Sequence, residues 1–284
     1  MPVLEEALSN GLQGTLLKPE ACTGIGIVIL GGSSGRVDVA RARLFAERGV
    51  MALALRWFGG EGQSPGICEI PLEIFVSAAD RLAEAGCDRI IFLGTSKGAE
   101  AALLVASYDP RVDAVIAISP SSVVWANVGP GKDGFEWPLR SSFTYRGSPL
   151  PFVPHPAESI LSVCRLPPVS YLELFHKSLA AFADRLPHAA IPIERARARI
   201  ILVAGGDDAL WPSRLFAEML ADRLKANGKP VSLVVHPTAG HRVLLPGETT
   251  PKSTVNAHGG TDEADHELGR AAWSEISRVL GLID

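Results

Sequence analysis

Arg89-Ile90-Ile91-Phe92-Leu93-Gly94-Thr95-Ser96-Lys97-Gly98-Ala99-Glu100-Ala101-Ala102 runs an apolar stretch into a small-residue helical one, with a glycine on each side of the turn. A strand that becomes a helix over so few residues exposes the central serine hydroxyl. It also aims helix-start N–H groups at the place where an oxyanion would develop. Ser96 is therefore a candidate nucleophile, provided that a base elsewhere takes its proton. Gly94 and Gly98 allow the chain to make the turn. The Gly-x-Ser-x-Gly pattern is common by chance, and it occurs here twice. Gly31-Gly32-Ser33-Ser34-Gly35 also follows an apolar run and precedes a helical pattern.

Outward from the turn, apolar β-branched runs recur at Gly14 to Leu17, Gly26 to Leu30, Val50 to Leu55, Arg89 to Leu93, Asp113 to Ile118, Arg199 to Val203 and Val231 to Val235. Several are apolar on both faces, as strands are in a parallel sheet covered by helices on each side. Helical patterns fall between them at Asp38 to Arg48, Pro71 to Ala85, Lys97 to Ser107, Ser213 to Ala226 and Asp262 to Leu280. This alternation predicts a mostly parallel, doubly wound α/β sheet.

The chain has 284 residues, 47% of them hydrophobic, which is ample for one large core, and a single domain over 1–284 is expected. A net charge of −4 without a lysine or arginine tract disfavours nucleic acid as a partner. No apolar run is long enough to span a bilayer and no signal layout opens the chain, so a cytoplasmic location is expected. Cys22, Cys68, Cys87 and Cys164 are scattered without ligand spacing, and all four are read as reduced.

The stretch 122–168 breaks the alternation, with many Gly and Pro and a crowd of aromatics. Long irregular connections are often functional. This one is expected to act as a lid or pocket wall, with Trp125, Phe135, Trp137, Phe143 and Tyr145 as substrate-binding residues. The alternative is an insertion that merely packs on the surface.

An α/β-hydrolase sheet presents its triad in the order Ser, acid, His. After Arg199 to Val203 comes Gly206-Asp207-Asp208-Ala209-Leu210-Trp211-Pro212, and after Val231 to Val235 comes His236-Pro237-Thr238-Ala239-Gly240-His241. Acid and histidine thus fall at strand C-terminal ends, the edge where Ser96 sits. Asp208 is preferred over Asp207 from its place before Pro212; either could instead cap the helix that follows. His241 lies on a Gly-containing loop free to reach Ser96, while His236 reads as a strand-end packing residue. The triad order does not separate Ser96 from Ser33, but the spacing does. One strand and one helix lie between the two turns, which fits an early oxyanion loop followed by the elbow. Gly32 or Ser33 would then supply one oxyanion N–H and Lys97 the other.

His258, Asp262, Asp265 and His266 mix imidazole and carboxylate, but a helix capped by Thr261 with acids in its first turn explains them better than a metal does. No metal or cofactor is expected. Lys132, Arg140, Arg146 and Arg242 are the cations expected near the site mouth.

Several stretches together resemble the C-terminal catalytic domain of the acyl-CoA thioesterase and bile acid-CoA:amino acid N-acyltransferase family. They are Gly94-Thr95-Ser96-Lys97-Gly98-Ala99-Glu100, Ala52 to Gly59 with Ile70-Pro71-Leu72-Glu73, Gly206-Asp207-Asp208 with Trp211-Pro212-Ser213, and Ala239-Gly240-His241. The resemblance implies an α/β-hydrolase fold and matches Ser96, Asp208 and His241 to the family's nucleophile, acid and base. Animal members carry a preceding β-sandwich domain, which this chain is expected to lack. Amino-acid-transferring members use cysteine as nucleophile and hydrolytic members serine, so Ser96 implies water as acceptor. The implied activity is acyl-CoA hydrolysis, and the partner expected is a small-molecule acyl thioester or ester substrate, with neither nucleic acid nor a membrane. The alternatives are a carboxylic-ester or dienelactone-type hydrolase and a non-catalytic binding protein of the same fold.

Overall fold

Eight strands form one sheet in the order β1-β2-β4-β3-β6-β7-β10-β11. They are β1 (Val3–Ala7), β2 (Gln13–Pro19), β3 (Ile25–Leu30), β4 (Met51–Arg56), β6 (Arg89–Thr95), β7 (Val112–Ile118), β10 (Arg199–Gly205) and β11 (Val231–His236). The structure, a computed structural model, describes residues 2–8, 11–163 and 166–282. Cys164 lies outside the described residues; Cys22, Cys68 and Cys87 are free thiols.

From β4 to β11 every pairing is parallel, whereas β1 with β2 and β2 with β4 are antiparallel. The central strands β3, β4 and β10 are buried almost throughout, which is why their sequences are apolar on both faces. Edge strand β1 escaped the apolar pattern because four of its five residues are exposed.

Helices cover both faces. On one side α1 (Val39–Ala46) and α8 (Asp262–Leu280) pack through Phe45, Trp273 and Ile276. On the other, α2 (Glu73–Glu84), α3 (Lys97–Tyr108) and α7 (Ser213–Ala226) pack through Leu82, Leu103 and Leu220. Helix α3 is buried from Lys97 to Ser107. Its alanines let it lie close to the sheet while Leu103 and Leu104 fill the core, each contributing roughly 1.5–3 kcal/mol. The sheet with helices on both faces is the α/β-hydrolase fold.

The connection between β7 and β10 is more ordered than its sequence suggests. Strand β8 (Phe143–Tyr145) pairs with β5 (Ile70–Pro71) and with β9 (Ser148–Pro149) in a second, three-stranded sheet. Isolated bridges tie Trp125 to Val153 and Ala126 to Ser141. Three helices follow that periodicity did not reveal: α4 (Ala157–Ser162), α5 (Leu172–Ala181) and α6 (Leu186–Ala189).

Candidate active site

Three elements converge at the C-terminal edge of the sheet. At the end of β6, Ser96 adopts φ 57°, ψ −120°, a region costing a non-glycine residue about 1–3 kcal/mol. The surroundings hold it there: its N–H donates to the Ile118 carbonyl at 2.9 Å, and its carbonyl accepts the N–H groups of Ala99 and Glu100. The flanking glycines are needed for close approach. A Cβ on Gly94 would lie 2.1 Å from the Gly98 carbonyl oxygen, and one on Gly98 would lie 2.5 Å from the Leu30 oxygen. The Lys97 N–H finds no acceptor among the described residues, as expected at a helix start.

The loop after β3 lies beside this turn. A Cβ on Gly32 would fall 3.2 Å from Ser96 Cβ and 3.8 Å from its Oγ, so Gly32 backbone borders the hydroxyl. Ser33, by contrast, is exposed in a turn and is not among the residues with positive φ. The two Gly-x-Ser-x-Gly stretches thus have different backbones, and only the second is an elbow.

Past β10, Asp208 Oδ1 accepts the N–H groups of Leu210 and Trp211, which aims Oδ2 at His241 Nδ1, 2.8 Å away. Oδ1 thus closes the turn ahead of Pro212 and does not cap α7, which has no side-chain cap, while Oδ2 makes the histidine contact. Both side chains are buried. The His241 loop is pinned by its own backbone: its N–H donates to the His258 carbonyl at 2.7 Å and its carbonyl accepts Ser119 Oγ at 2.9 Å. Asp207 instead accepts the Gly260 N–H, and His236 bonds Glu267.

Ser96 and His241 face a cavity of about 580 Å³. No hydrogen bond joins Ser96 Oγ to the imidazole among the described residues, a looseness common in sites without substrate. Gly32 and Ser33 border the same cavity, whose outer wall is the Thr250 to Asn256 loop.

The five aromatics expected to bind substrate do not line this cavity, which corrects the sequence expectation. Trp125 and Phe143 are fully buried, Phe143 stacking near Trp57 and Trp125 against His155. Tyr145 packs on Tyr108, while Phe135 and Trp137 are 88% and 75% exposed. Phe143 and Tyr145, both on β8, hold the second sheet to the core, and Trp125 packs in a separate cluster with Trp211 and Phe216. The cation expectation also changes. Lys132 and Arg140 pair with Glu69 and Arg146 lies over Tyr145, leaving Arg242 as the one of the four that borders the cavity. Arg36, Arg41 and Lys252 join it.

Two supporting networks had no sequence signal. Arg41 is buried against Glu248, and it also donates to Thr95 Oγ1, beside Ser96, at 2.8 Å. Burial disfavours the Arg41 charge, but Glu248 more than offsets this and raises its pKa. On the other flank, Lys97 Nζ reaches Glu100 at 2.7 Å and Ser142 Oγ at 2.8 Å, and Glu100 accepts the Trp125 N–H. Burial pushes the Lys97 pKa down and the Glu100 pKa up, and each partner opposes the shift of the other. This buried pair ties the elbow helix to the insertion. At the other loop, Thr261 caps α8 by accepting the Ala264 N–H, and Asp265 accepts the Gly240 N–H next to His241.

The family described as BAAT / Acyl-CoA thioester hydrolase C terminal matches residues 70–278. The chain belongs to this family. Human acyl-coenzyme A thioesterase 1 is 28% identical over 285 residues, covering 96% of this chain and 63% of that protein. Mouse acyl-coenzyme A amino acid N-acyltransferase 2 is 29% identical over 230 residues, covering 78% of this chain and 49% of that protein. The chain therefore spans about half to three fifths of the length of these family relatives. Among solved structures, a puromycin-hydrolyzing peptidase of Mycobacterium tuberculosis superposes with a TM-score of 0.60 at 13% identity, over 99% of this chain and 40% of that one. Est1E from Butyrivibrio proteoclasticus does so with a TM-score of 0.51 at 12% identity, over 99% of this chain and 100% of that one. These two share the fold of this chain.

Proposed function

We propose that the protein is a serine hydrolase that cleaves acyl thioesters through an acyl-enzyme, with Ser96, Asp208 and His241 as its triad. The observation that carries this reading is the buried Asp208–His241 hydrogen bond at the wall of the cavity that also holds Ser96 in its strained elbow. His241 Nε2 takes the Ser96 proton as Oγ attacks the acyl carbonyl, and Asp208 fixes the imidazole and stabilises its charged form. The N–H groups of Lys97 and Gly32 receive the oxyanion, with Ser33 as the alternative donor on that loop. His241 then protonates the leaving group, and in the second half it activates the water that releases the acid.

Membership of a family named for acyl-CoA thioester hydrolysis supports a thioester substrate, and a serine at the elbow supports water as acceptor. A carboxylic-ester substrate is the second reading. It is favoured by the polar cavity wall of Ser33, Ser34, Ser253 and Asn256 and by the absence of the expected aromatics from it. Turnover of an acyl-CoA chain-length panel, read as free thiol, against aryl esters of the same acyl groups separates the two. At least 10-fold higher kcat/KM on the thioesters is the expected result, and the reverse order refutes the thioester assignment. Among the described residues no helix is long and apolar enough to cross a membrane.

A further inference from the structure

His258 stands beside the proposed triad with no role assigned. Its ring lies 5.7 Å from that of His241, centroid to centroid, and it lines the same cavity as Ser96. Its backbone carbonyl accepts the His241 N–H, which holds together the two backbone segments that carry these rings. Its Nδ1 is enclosed and has no hydrogen-bond partner. An orphaned buried N–H is rarer than an under-used acceptor, which places the proton on Nε2. That nitrogen makes no hydrogen bond among the described residues, and the ring that carries it lines the cavity.

The environment keeps the ring uncharged. Burial, then the neighbouring His241, Arg242 and Lys252, lower its pKa to about 4 against the opposing pull of Asp208. Near neutral pH it is a neutral donor on the His241 side of the cavity. In a serine hydrolase that is the side of the leaving group, because His241 must hand it a proton, while the oxyanion lies on the opposite side with Lys97.

We propose that His258 is a leaving-group residue, whose Nε2–H donates a hydrogen bond to the departing heteroatom while His241 delivers the proton. The inference rests on the proposed acyl transfer. No bond to His258 forms or breaks: the acyl carbon–heteroatom bond breaks, its electron pair stays on the heteroatom, and the proton comes from His241 Nε2. The demand for a second donor grows as the leaving group becomes more basic. Acylation should feel it and deacylation should not, since the acyl-enzyme no longer carries the leaving group.

The test compares phenyl acetate with p-nitrophenyl acetate, which give the same acyl-enzyme, in the wild type, His258→Phe, His258→Gln and His258→Asn. Acylation in His258→Phe should fall about 10- to 100-fold on phenyl acetate and less than about 3-fold on p-nitrophenyl acetate, with deacylation unchanged. His258→Gln presents a neutral N–H near the Nε2 position and should restore phenyl acetate acylation to within about 3-fold; His258→Asn is too short and should not. If both esters fall alike, if deacylation falls too, or if Gln behaves as Phe does, the proposal is overturned. Should His258→Phe not fold, the contrast between Gln and Asn decides it alone. A wild type that forms no acyl-enzyme overturns the triad reading as well, which separates that failure from failure of the His258 role.

Discussion

Gly31 to Gly35 and Gly94 to Gly98 share one five-residue pattern and lie side by side at the same sheet edge, yet their backbones differ. Ser96 is forced to φ 57° and is gripped by β7, while Ser33 sits exposed in an ordinary turn. What separates them is the continuation. After Gly98 comes a buried helix whose first turn must pack against Leu30 and Gly31, and after Gly35 comes a charged three-residue loop, Arg36 to Asp38, that leads into α1. A motif therefore acquires its geometry from what its flanks bury. The glycines only permit that geometry.

The contrast is broken most sharply at the two serines. Ser96→Ala should lower kcat by at least about 10³-fold and Ser33→Ala by less than about 3-fold, measured on one thioester substrate at saturation. Comparable losses in both would erase the distinction. Next comes the continuation itself. Lys97→Met leaves Glu100 buried without its cation and should cost about 3–5 kcal/mol in urea unfolding, whereas Arg36→Met, at an exposed pair with Asp38, should cost less than about 1. The Gly31 to Gly35 turn is then probed from inside. Gly32→Ala puts a methyl 3.2 Å from Ser96 Cβ and should reduce kcat about 10-fold with little change in melting temperature. The smallest effect is expected in the insertion. The Phe135→Ser, Trp137→Ser double variant should leave kcat/KM within about 2-fold, because neither ring borders the cavity.

Much of this was legible in the sequence. The apolar runs located seven of the eight strands of the central sheet, all but the exposed edge strand β1, because burial imposes a local, readable composition. The order of Ser96, Asp208 and His241 followed from strand ends, which are also local. The insertion was not legible, since its structure depends on pairing between distant segments such as Ile70–Pro71 and Phe143–Tyr145. Its aromatics looked like pocket lining because aromatic crowding marks a core and a pocket alike. Phe143 and Trp125 proved to be core. The true outer wall, Thr250 to Asn256, is polar and aperiodic, and only the fold brings it over Ser96. His258 was visible only as part of a candidate metal cluster. Its place beside His241 depends on the carbonyl contact that the loop makes after folding.

The central claim is that of two turns with one shared sequence pattern only one carries the nucleophile. Treating the folded protein with a fluorophosphonate and mapping the modified peptide by mass spectrometry tests it directly. The account predicts a single adduct on Ser96, abolished by His241→Ala; an adduct on Ser33, or an unlabelled protein, would contradict it.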